Sequence, residues 1–425
     1  MKKKKILLLS YYWPPASGPA VNRMISWVNH LCSEGHTVHI LTVQNPNNLA
    51  EDPQLVDEVP ETAIIHRTKT YEPFGVYKWL KGKKNTESTV GLPSDSSSWI
   101  SKIALHIRLH YFVPDPRIGW KYTAIKKAVN IIKKIGIEVM ISSSPPHSTQ
   151  VIAYQIKQKT GVVWWADLRD PWTKLYHYDH KEIAEKVRKK HEHLESICLK
   201  EADKIITIGH KIKDSFSVDS KKIEVIFNGY PTKKYTLQKK PIKDFTISYI
   251  GNFSAYQLDN SFWDAFATFH SNISPQRVSF RLVGNIDQGV RKKLTTYGLM
   301  QITEHLGYQP HKAALEFMYS SSVLLLIIPK AANNDIIITS KIFEYLKSET
   351  PTLAIGPLGG EAESILSEFS YTGYYEYSDK QGILDFLTSV YNSPQQASAE
   401  DRMNIKKYAR SNQAKHLSTL LEKLE

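Results

Sequence analysis

Short apolar segments alternate with stretches of helical periodicity along almost the whole chain, and this alternation constrains the fold more than any other feature. Because 425 residues exceed what one compact core usually holds, we expect two domains. Alternation of this kind predicts βαβ units and a parallel sheet. The predicted strands of the first half are Ile6–Leu9, Val38–Val43, Ala63–His66, Val139–Ser142, Val162–Ala166, Ile205–Ile208 and Glu224–Phe227.

The alternation stops once and then starts again. A break at Asn228–Pro231 leads into a lysine- and proline-containing stretch, which predicts a first domain over 1–230 and a linker over 231–244. A second domain is predicted over 245–400, and a final amphipathic helix over 401–425. Its predicted strands are Thr246–Ile250, Phe280–Val283, Ile302–Leu306, Val323–Ile328 and Thr352–Ile355. The predicted fold class is α/β, with two Rossmann-like, doubly wound parallel sheets facing an interdomain cleft.

The positive charge belongs mainly to the first half. Of the formal net charge of +13, residues 1–230 carry 34 Lys and Arg against 23 Asp and Glu, and the remainder carries 21 against 19. This excess suits an anionic partner such as a phosphorylated substrate or an anionic membrane surface, although ordinary solvated lysine explains it as well. Nucleic-acid binding is not indicated, since no RNP-like, zinc or helix-turn-helix pattern occurs.

The apolar runs and the cysteines bear on the cellular compartment of the protein. No run approaches the roughly 20 apolar residues of a membrane span. The two cysteines, Cys32 and Cys198, lack metal-ligand spacing and are predicted to be reduced. We therefore expect a cytoplasmic protein, at most peripheral on the inner face of a membrane. A polar surface loop is predicted at 81–98, and Trp99–Phe112 fits either an interfacial helix or ordinary packing.

The first strand meets the first helix through the irregular segment SYYWPPASGPAVNR, Ser10–Arg23. Apolar residues at i, i+3, i+4 and i+7 from Met24 predict that the helix begins near Pro19. Gly18 lets the backbone approach a ligand, and a helix N-terminus favours an anion, although a plain tight turn is an equal explanation. The dinucleotide-binding fingerprint GxGxxG is absent.

Four segments, taken in order, resemble the family-4-like glycosyltransferases of the two-Rossmann-domain (GT-B) type. They are YYWPPASGPAVNR, WWADLRDPW (Trp164–Trp172), VIFNGY (Val225–Tyr230) leading into YIGNF (Tyr249–Phe253), and SKIFEYLKSETPTLAIGP (Ser340–Pro357). The resemblance covers nearly the whole chain. It implies transfer of a sugar, with retention of configuration, from a nucleotide-sugar donor to a cell-surface glycan, such as lipopolysaccharide or capsule, or to its lipid-linked precursor. It also implies that the terminal helix crosses back onto the first domain.

The resemblance assigns donor binding mainly to the second domain. Ser340 is predicted to cap a helix whose N-terminus faces the donor diphosphate, with Lys341 adding a full charge and Glu344 accepting hydrogen bonds from the ribose diol. Gly360 and Glu361 resemble a loop near the donor phosphate or sugar hydroxyls. The candidate donor-binding residues are Gly18, Gly251, Asn252, Lys341 and Glu344.

The sequence departs from the family pattern at two places. The position of a first glutamate, eight residues before Glu344, holds Ile336, and Asp335 is the nearest acid. The segment YIGNFSAYQLDN lacks the Arg and Lys that relatives place there. Lys341, Lys330 and the amides at Gly251–Phe253 are the remaining candidates for neutralising a diphosphate.

The resemblance assigns the acceptor and the transferred sugar to the first domain. Asp167, Arg169 and Asp170 are the candidate catalytic residues, and Asp170 stands where many relatives place a histidine. A structural Asp167–Arg169 ion pair is the alternative. His147 and Arg23 are candidate sugar or acceptor contacts, with a capping or loop role left open for His147.

No metal or other cofactor is expected, because the chain has no Asp-x-Asp, HExxH or His/Cys cluster. Two alternatives to a glycosyltransferase stay open. One is a sugar-nucleotide epimerase on the same fold, and the other is a non-catalytic sugar-nucleotide binder, which the missing first glutamate favours.

Overall fold

The computed structural model describes residues 3–45, 51–71, 110, 112–174, 183–232, 244–273 and 277–424. The loop predicted at 81–98, nearly all of the segment 99–112 and most of the predicted linker lie outside these residues. The chain forms two compact units. Unit 1 is Met1–Asn228 with Gln413–Glu425, and unit 2 is Gly229–Asn412.

Unit 1 is built on a seven-stranded parallel sheet in the order β3-β2-β1-β4-β5-β6-β7. The order reverses at β1, and the central register places Leu8 between Ile40 and Ile141. Each strand overlaps one that the sequence predicts. The strands are β1 (Lys5–Ser10), β2 (Thr37–Val43), β3 (Ile64–Thr68), β4 (Val139–Ser144), β5 (Val163–Leu168), β6 (Lys204–Thr207) and β7 (Ile223–Val225).

Six described helices connect the strands of unit 1. The first begins at Pro19, where its apolar periodicity places it, and buries Met24, Trp27 and Leu31 on the sheet. The helices are α1 (Pro19–Ser33), α2 (Gln54–Asp57), α3 (Lys121–Ile135), α4 (Ser148–Thr160), α5 (Glu185–Glu201) and α6 (His210–Ser215).

Unit 2 repeats the architecture with six parallel strands in the order β10-β9-β8-β11-β12-β13. The prediction of two doubly wound parallel sheets is therefore confirmed. The last strand was not predicted, since its sequence TGYY is short, contains glycine and is only half-buried. The strands are β8 (Phe245–Ile250), β9 (Val278–Val283), β10 (Thr303–Gly307), β11 (Val323–Ile327), β12 (Thr352–Ile355) and β13 (Thr372–Tyr375).

The helices after β8 complete unit 2, and the last of them continues into unit 1. They are α7 (Asn260–Asn272), α8 (Gln288–Thr296), α9 (His311–Tyr319), α10 (Lys341–Ser348), α11 (Glu361–Leu366), α12 (Lys380–Asn392), α13 (Ala399–Asn404) and α14 (Arg410–Glu422). No helix among the described residues is both long and apolar enough to cross a bilayer.

The single terminal helix predicted over 401–425 is wrong. A 3₁₀ turn over Ile405–Tyr408 and an extended Ala409 separate α13 from α14. Tyr408 is buried with its ring 5.0 Å from that of Phe343, and Ala409 forms a parallel bridge with Tyr230. These tertiary contacts end the helix at a point where the apolar periodicity of the sequence continues.

Gly229 occupies a position in unit 2 that only glycine fits. Its φ is +62°, and a Cβ there would overlap the carbonyl oxygen of Tyr408. The next amide, Tyr230 N, donates to the same oxygen at 3.1 Å, and Arg410 N donates to Tyr230 O at 3.0 Å. Backbone hydrogen bonds thus join the segment at Gly229 to the segment at Tyr408. The two backbones lie so close that no side-chain carbon fits between them.

We expect Gly229→Ala to lower the free energy of unfolding by about 2–4 kcal/mol, because left-handed strain of roughly 1–2 kcal/mol is added to a steric overlap. Gly298→Ala is the matched control, since Gly298 has φ +68° with open space around its Cβ position. The urea midpoints of both variants measure the difference. Equal midpoints would show that the contact with Tyr408 carries no cost.

Candidate functional site

The loop after β1 brings Gly18 to the first turn of α1 in unit 1. Gly18 has φ +131° and no atom within 4 Å of its Cβ position, so the backbone stands open on that side. No side chain caps the helix. Arg67 Nη2 donates to Pro14 O at 2.8 Å and holds the preceding part of the loop against β3.

A buried ion pair lies beneath this loop. Arg23, which is 1% exposed, donates from Nη2 to Asp167 Oδ1 at 3.0 Å and from Nη1 to Ile226 O at 2.7 Å and to Phe227 O at 2.9 Å. Burial lowers the pKa of Arg23, and the carboxylate of Asp167 opposes that shift. The guanidinium ties α1 to the ends of β5 and β7.

Asp167 is fully buried, and both of its carboxylate oxygens are occupied. Ser143 Oγ donates to Oδ2 at 2.7 Å, while Arg23 holds Oδ1. Gln150 Nε2 donates to the Asp167 carbonyl at 2.9 Å. These polar contacts replace water around a charge in the sheet, as a buried carboxylate requires.

Arg169 and Asp170 extend beyond the end of β5. Arg169 Nη2 donates to Pro145 O at 3.1 Å, and its Nε lies 3.8 Å from Asp167 Oδ2. Asp170 is half-buried. Burial raises the pKa of Asp170, with the charge of Asp167 acting in the same direction and Arg169 opposing it. Asp170 is therefore a stronger proton acceptor than an ordinary aspartate.

His147 precedes α4 and stacks on Trp172. The two rings are 5.0 Å apart with an interplanar angle of 6°. His147 is 5% exposed, and neither ring nitrogen has a hydrogen-bond partner among the described residues. Burial, together with the charges of His191 and Arg169, lowers the pKa of His147 to about 3, so the ring is neutral at pH 7.

In unit 2, Lys341 opens α10 and lies against the end of β8. Its Nζ donates to Tyr249 Oη at 3.1 Å and sits 4.3 Å from the centroid of that ring. A Cβ on Gly251, where φ is +133°, would overlap the ammonium group. Burial lowers the pKa of Lys341 to about 8. Among the described residues no carboxylate pairs with it.

Two tyrosines fix the end of β8 beside this lysine. Tyr249 Oη donates to Asn252 O at 2.9 Å, and Ile250 N donates to Tyr345 Oη at 3.2 Å. The backbone of Gly251 and Asn252 is thereby held next to the N-terminus of α10. The alternative cation, Lys330, is instead neutralised by Asp259 at 2.8 Å.

Glu344 lies one turn into α10 and pairs with His311, the first residue of α9. Glu344 Oε1 is 3.0 Å from His311 Nε2, with the side chains 13% and 46% exposed, respectively. The pair is thus reachable from solvent on the histidine side.

Gly360 and Glu361 lie at the start of α11. A Cβ at Gly360 would meet Pro357 O at 3.1 Å and Asp335 O at 3.3 Å, so the loop from β11 packs directly on this turn. Glu361 is buried. Asp335 sits in the 3₁₀ turn Asn334–Ile336.

No protein-family model matches the chain, and no curated protein matches its sequence. Solved structures do match over its whole length. Anabaena HepE, solved with UDP and glucose, is 13% identical with a TM-score of 0.63, covering 99% of this chain and 100% of that one. Sucrose-phosphate synthase from Thermosynechococcus elongatus is 13% identical with a TM-score of 0.64, covering 99% of both chains.

The lipopolysaccharide outer core galactosyltransferase WaaB gives a TM-score of 0.62 at 13% identity, covering 99% of this chain and 100% of that one. The chain has the GT-B fold. A putative UDP-N-acetylglucosamine 2-epimerase from Listeria monocytogenes matches more weakly, with a TM-score of 0.54 at 10% identity over 98% of this chain and 96% of that one. At these identities the likeness establishes the fold alone.

The structure separates the predicted site residues into two groups within the GT-B fold. Gly251, Asn252, Lys341 and Glu344 come together in unit 2, whereas Gly18 lies in unit 1. Asp167, Arg169, Asp170 and His147 come together in unit 1, at the carboxyl ends of β4 and β5.

Two expectations need correction. Arg23, a predicted sugar or acceptor contact, is not exposed, because Asp167 and two carbonyls draw its guanidinium into the core of unit 1. The main partner of Asp167 is accordingly Arg23 and not Arg169. Ser340 does not cap α10 with its side chain, since it already has helical backbone angles, φ −60° and ψ −21°.

Sequence reasoning missed several residues of both groups. No role was predicted for Tyr249 and Tyr345, although both lie in segments that carry the family resemblance. His191, Glu195 and His311 lie outside those segments. Their contacts join residues far apart in the chain, and no local pattern signals them. Among the described residues, no group of three or more His, Cys, Asp or Glu is arranged to hold a metal ion.

Proposed function

We propose that this protein is a glycosyltransferase that moves a sugar from a nucleotide-sugar donor to a saccharide acceptor. The observation that carries the proposal is the ammonium of Lys341, set against Gly251 at the end of β8 with no described carboxylate to neutralise it. A cation held in this way suits an anionic ligand. The GT-B fold supports the same proposal, because the similar structures include one solved with UDP and glucose and a galactosyltransferase.

The donor is proposed to bind to unit 2. Its diphosphate would lie at the N-terminus of α10, where the helix dipole and Lys341 stabilise negative charge. Glu344, on the same helix, would accept hydrogen bonds from the ribose hydroxyls, with His311 orienting its carboxylate. The same charges would stabilise the leaving diphosphate, so we propose transfer without a metal.

In the reaction, the bond between the anomeric carbon and the diphosphate oxygen breaks, and its electron pair leaves with the diphosphate. An acceptor hydroxyl oxygen bonds to that carbon and gives up its proton. Asp170 is the proposed proton acceptor, since it lies at the end of β5 beside Arg169 and burial raises its pKa. Arg169 and His147 are proposed to hold sugar hydroxyls. Retention of configuration is proposed from the family resemblance.

The proposed acceptor is a cell-surface glycan or its lipid-linked precursor, met at the inner face of a membrane. Helix α3, KYTAIKKAVNIIKKI, supports this, because it carries five lysines and no acid. An anionic lipid surface or a lipid diphosphate attracts such a helix. The protein would then be cytoplasmic and peripheral to the membrane.

The closest competing function is a sugar-nucleotide epimerase, which the weaker likeness to the Listeria protein favours. A non-catalytic sugar-nucleotide binder is the other. Both would bind a nucleotide sugar without transferring it. Release of nucleotide that depends on an added acceptor therefore distinguishes a transferase from either.

The test measures binding and nucleotide release with a panel of UDP-, GDP- and other sugar nucleotides, with and without saccharide acceptors. We expect one donor to bind and turn over, and Glu344→Gln to raise its KM about tenfold by removing one charged acceptor. Glu400→Gln, an exposed change in the same unit, is the matched control. Absence of binding to every sugar nucleotide would overturn the proposal.

A further inference from the structure

Helix α5 holds the loop that follows β5 through two side chains one turn apart. Glu195 Oε1 accepts hydrogen bonds from Trp172 N at 3.1 Å and Thr173 N at 3.4 Å, and Glu195 Oε2 accepts from Thr173 Oγ1. His191 Nδ1 accepts from Trp172 Nε1 at 3.1 Å. One helical face thus satisfies two backbone amides, a hydroxyl and an indole of the same loop.

We propose that His191 and Glu195, named here the α5 clamp, are positioning residues that fix the loop Arg169–Thr173 and, through Trp172, the ring of His147. The proposal rests on the proposed function for its catalytic consequence. The contacts themselves stand independently of that function.

The clamp acts where the loop has no regular structure of its own. After Leu168 the chain leaves the sheet, and Pro171 has no N–H to donate. The next two amides therefore depend on Glu195. Trp172 is fully buried, and it is the ring on which His147 stacks. A shift of the loop would move Arg169, Asp170 and His147 together.

The chemistry of His191 suits this role. Burial, with a contribution from Lys190, lowers the pKa of His191 to about 4, so its ring is neutral at pH 7. A neutral ring that accepts at Nδ1 carries its proton on Nε2, and it can receive the indole N–H. Burial raises the pKa of Glu195, and its hydrogen bonds from Thr173 and Trp172 oppose that shift.

The test compares disruptive and conservative variants. Glu195→Ala and His191→Leu remove the acceptors, whereas Glu195→Gln and His191→Asn keep an acceptor oxygen near Oε1 and Nδ1. Glu192→Ala is the control, an exposed carboxylate on the same helix. Hydrogen–deuterium exchange at Trp172 and Thr173 reports on the loop, and kcat and donor KM are measured beside it.

We expect the two disruptive variants to speed exchange at these amides at least tenfold and to lower kcat about 10- to 100-fold, since displacements near 1 Å can cost on the order of 100-fold. The donor KM should change much less than kcat, because the proposed contacts with the donor diphosphate and ribose lie in unit 2. The conservative variants should stay within about threefold of wild type in both measurements. A merely structural role would lower the melting temperature without splitting kcat from KM.

Unchanged exchange in Glu195→Ala would overturn the clamp, and faster exchange with unchanged kcat would overturn its catalytic consequence. If Glu195→Ala fails to fold, Thr173→Val removes a single bond of the clamp and takes its place. If wild type binds and turns over no sugar nucleotide, the proposed function fails together with that consequence. The exchange data would still decide whether the clamp orders the loop.

Discussion

Lys341→Met is expected to weaken donor binding about 10- to 100-fold. The change removes a half-buried ammonium that no described carboxylate neutralises, and a charge-assisted hydrogen bond is worth roughly 1.5–3 kcal/mol. Lys330→Met is the matched control, because Lys330 is already paired with Asp259. Titration calorimetry with the donor nucleotide measures both. Equal losses in the two variants, or none in Lys341→Met, would remove Lys341 from the site.

The ionisation of Lys341 adds a pH dependence with a defined sign. Its folded pKa of about 8 lies below the roughly 10.4 of an unfolded lysine. Because only the ammonium form attracts a diphosphate, donor affinity should fall as pH rises through about 8. Stability should move the other way and rise between pH 8 and about 10, since the unfolded chain binds the extra proton in that window. Lys341→Met should abolish both trends.

Asp167→Ala is expected to lower the free energy of unfolding by about 3–5 kcal/mol. It leaves the guanidinium of Arg23 buried without its counter-ion, and such half-broken pairs are strongly destabilising. The double variant Arg23→Met with Asp167→Val should cost less than Asp167→Ala, because it removes the guanidinium of Arg23 together with its counter-ion. Urea unfolding followed by circular dichroism measures each midpoint.

Glu185→Ala gives the control for this second experiment, because the Glu185–Lys189 pair lies on an exposed face of α5. Exposed pairs of this kind contribute about 0–1 kcal/mol. If Asp167→Ala were no more destabilising than Glu185→Ala, the network around Arg23 would not hold unit 1 together.

The sheets were predictable from sequence because a parallel strand buried on both faces leaves a short, continuous apolar run. β1 and β11 show this clearly, whereas β13 has the sequence TGYY, which contains a glycine and only half-buried side chains. The start of α1 was predictable for the same local reason.

The site was less predictable, because its geometry depends on partners distant in the chain. Arg23 meets Asp167 across 144 positions, and Lys341 meets Tyr249 across 92. The WWADLRDPW segment pointed to the loop after β5, but nothing local shows that Glu195 would hold it. Residue types and strand ends thus indicated the region of the candidate site, while burial and pairing over long sequence distances decided how its side chains are held.

The return of α14 to unit 1 sets an order for folding during synthesis. Ala414, Leu417, Leu420 and Leu421 pack in the same core as Ile6 and Leu8, and Lys4 Nζ donates to Leu424 O at 2.8 Å. All of unit 2 leaves the ribosome before these residues do. Domains generally fold in the order of their synthesis. Here unit 2 can complete its core first, because the core of unit 1 stays exposed to solvent until α14 has been synthesised.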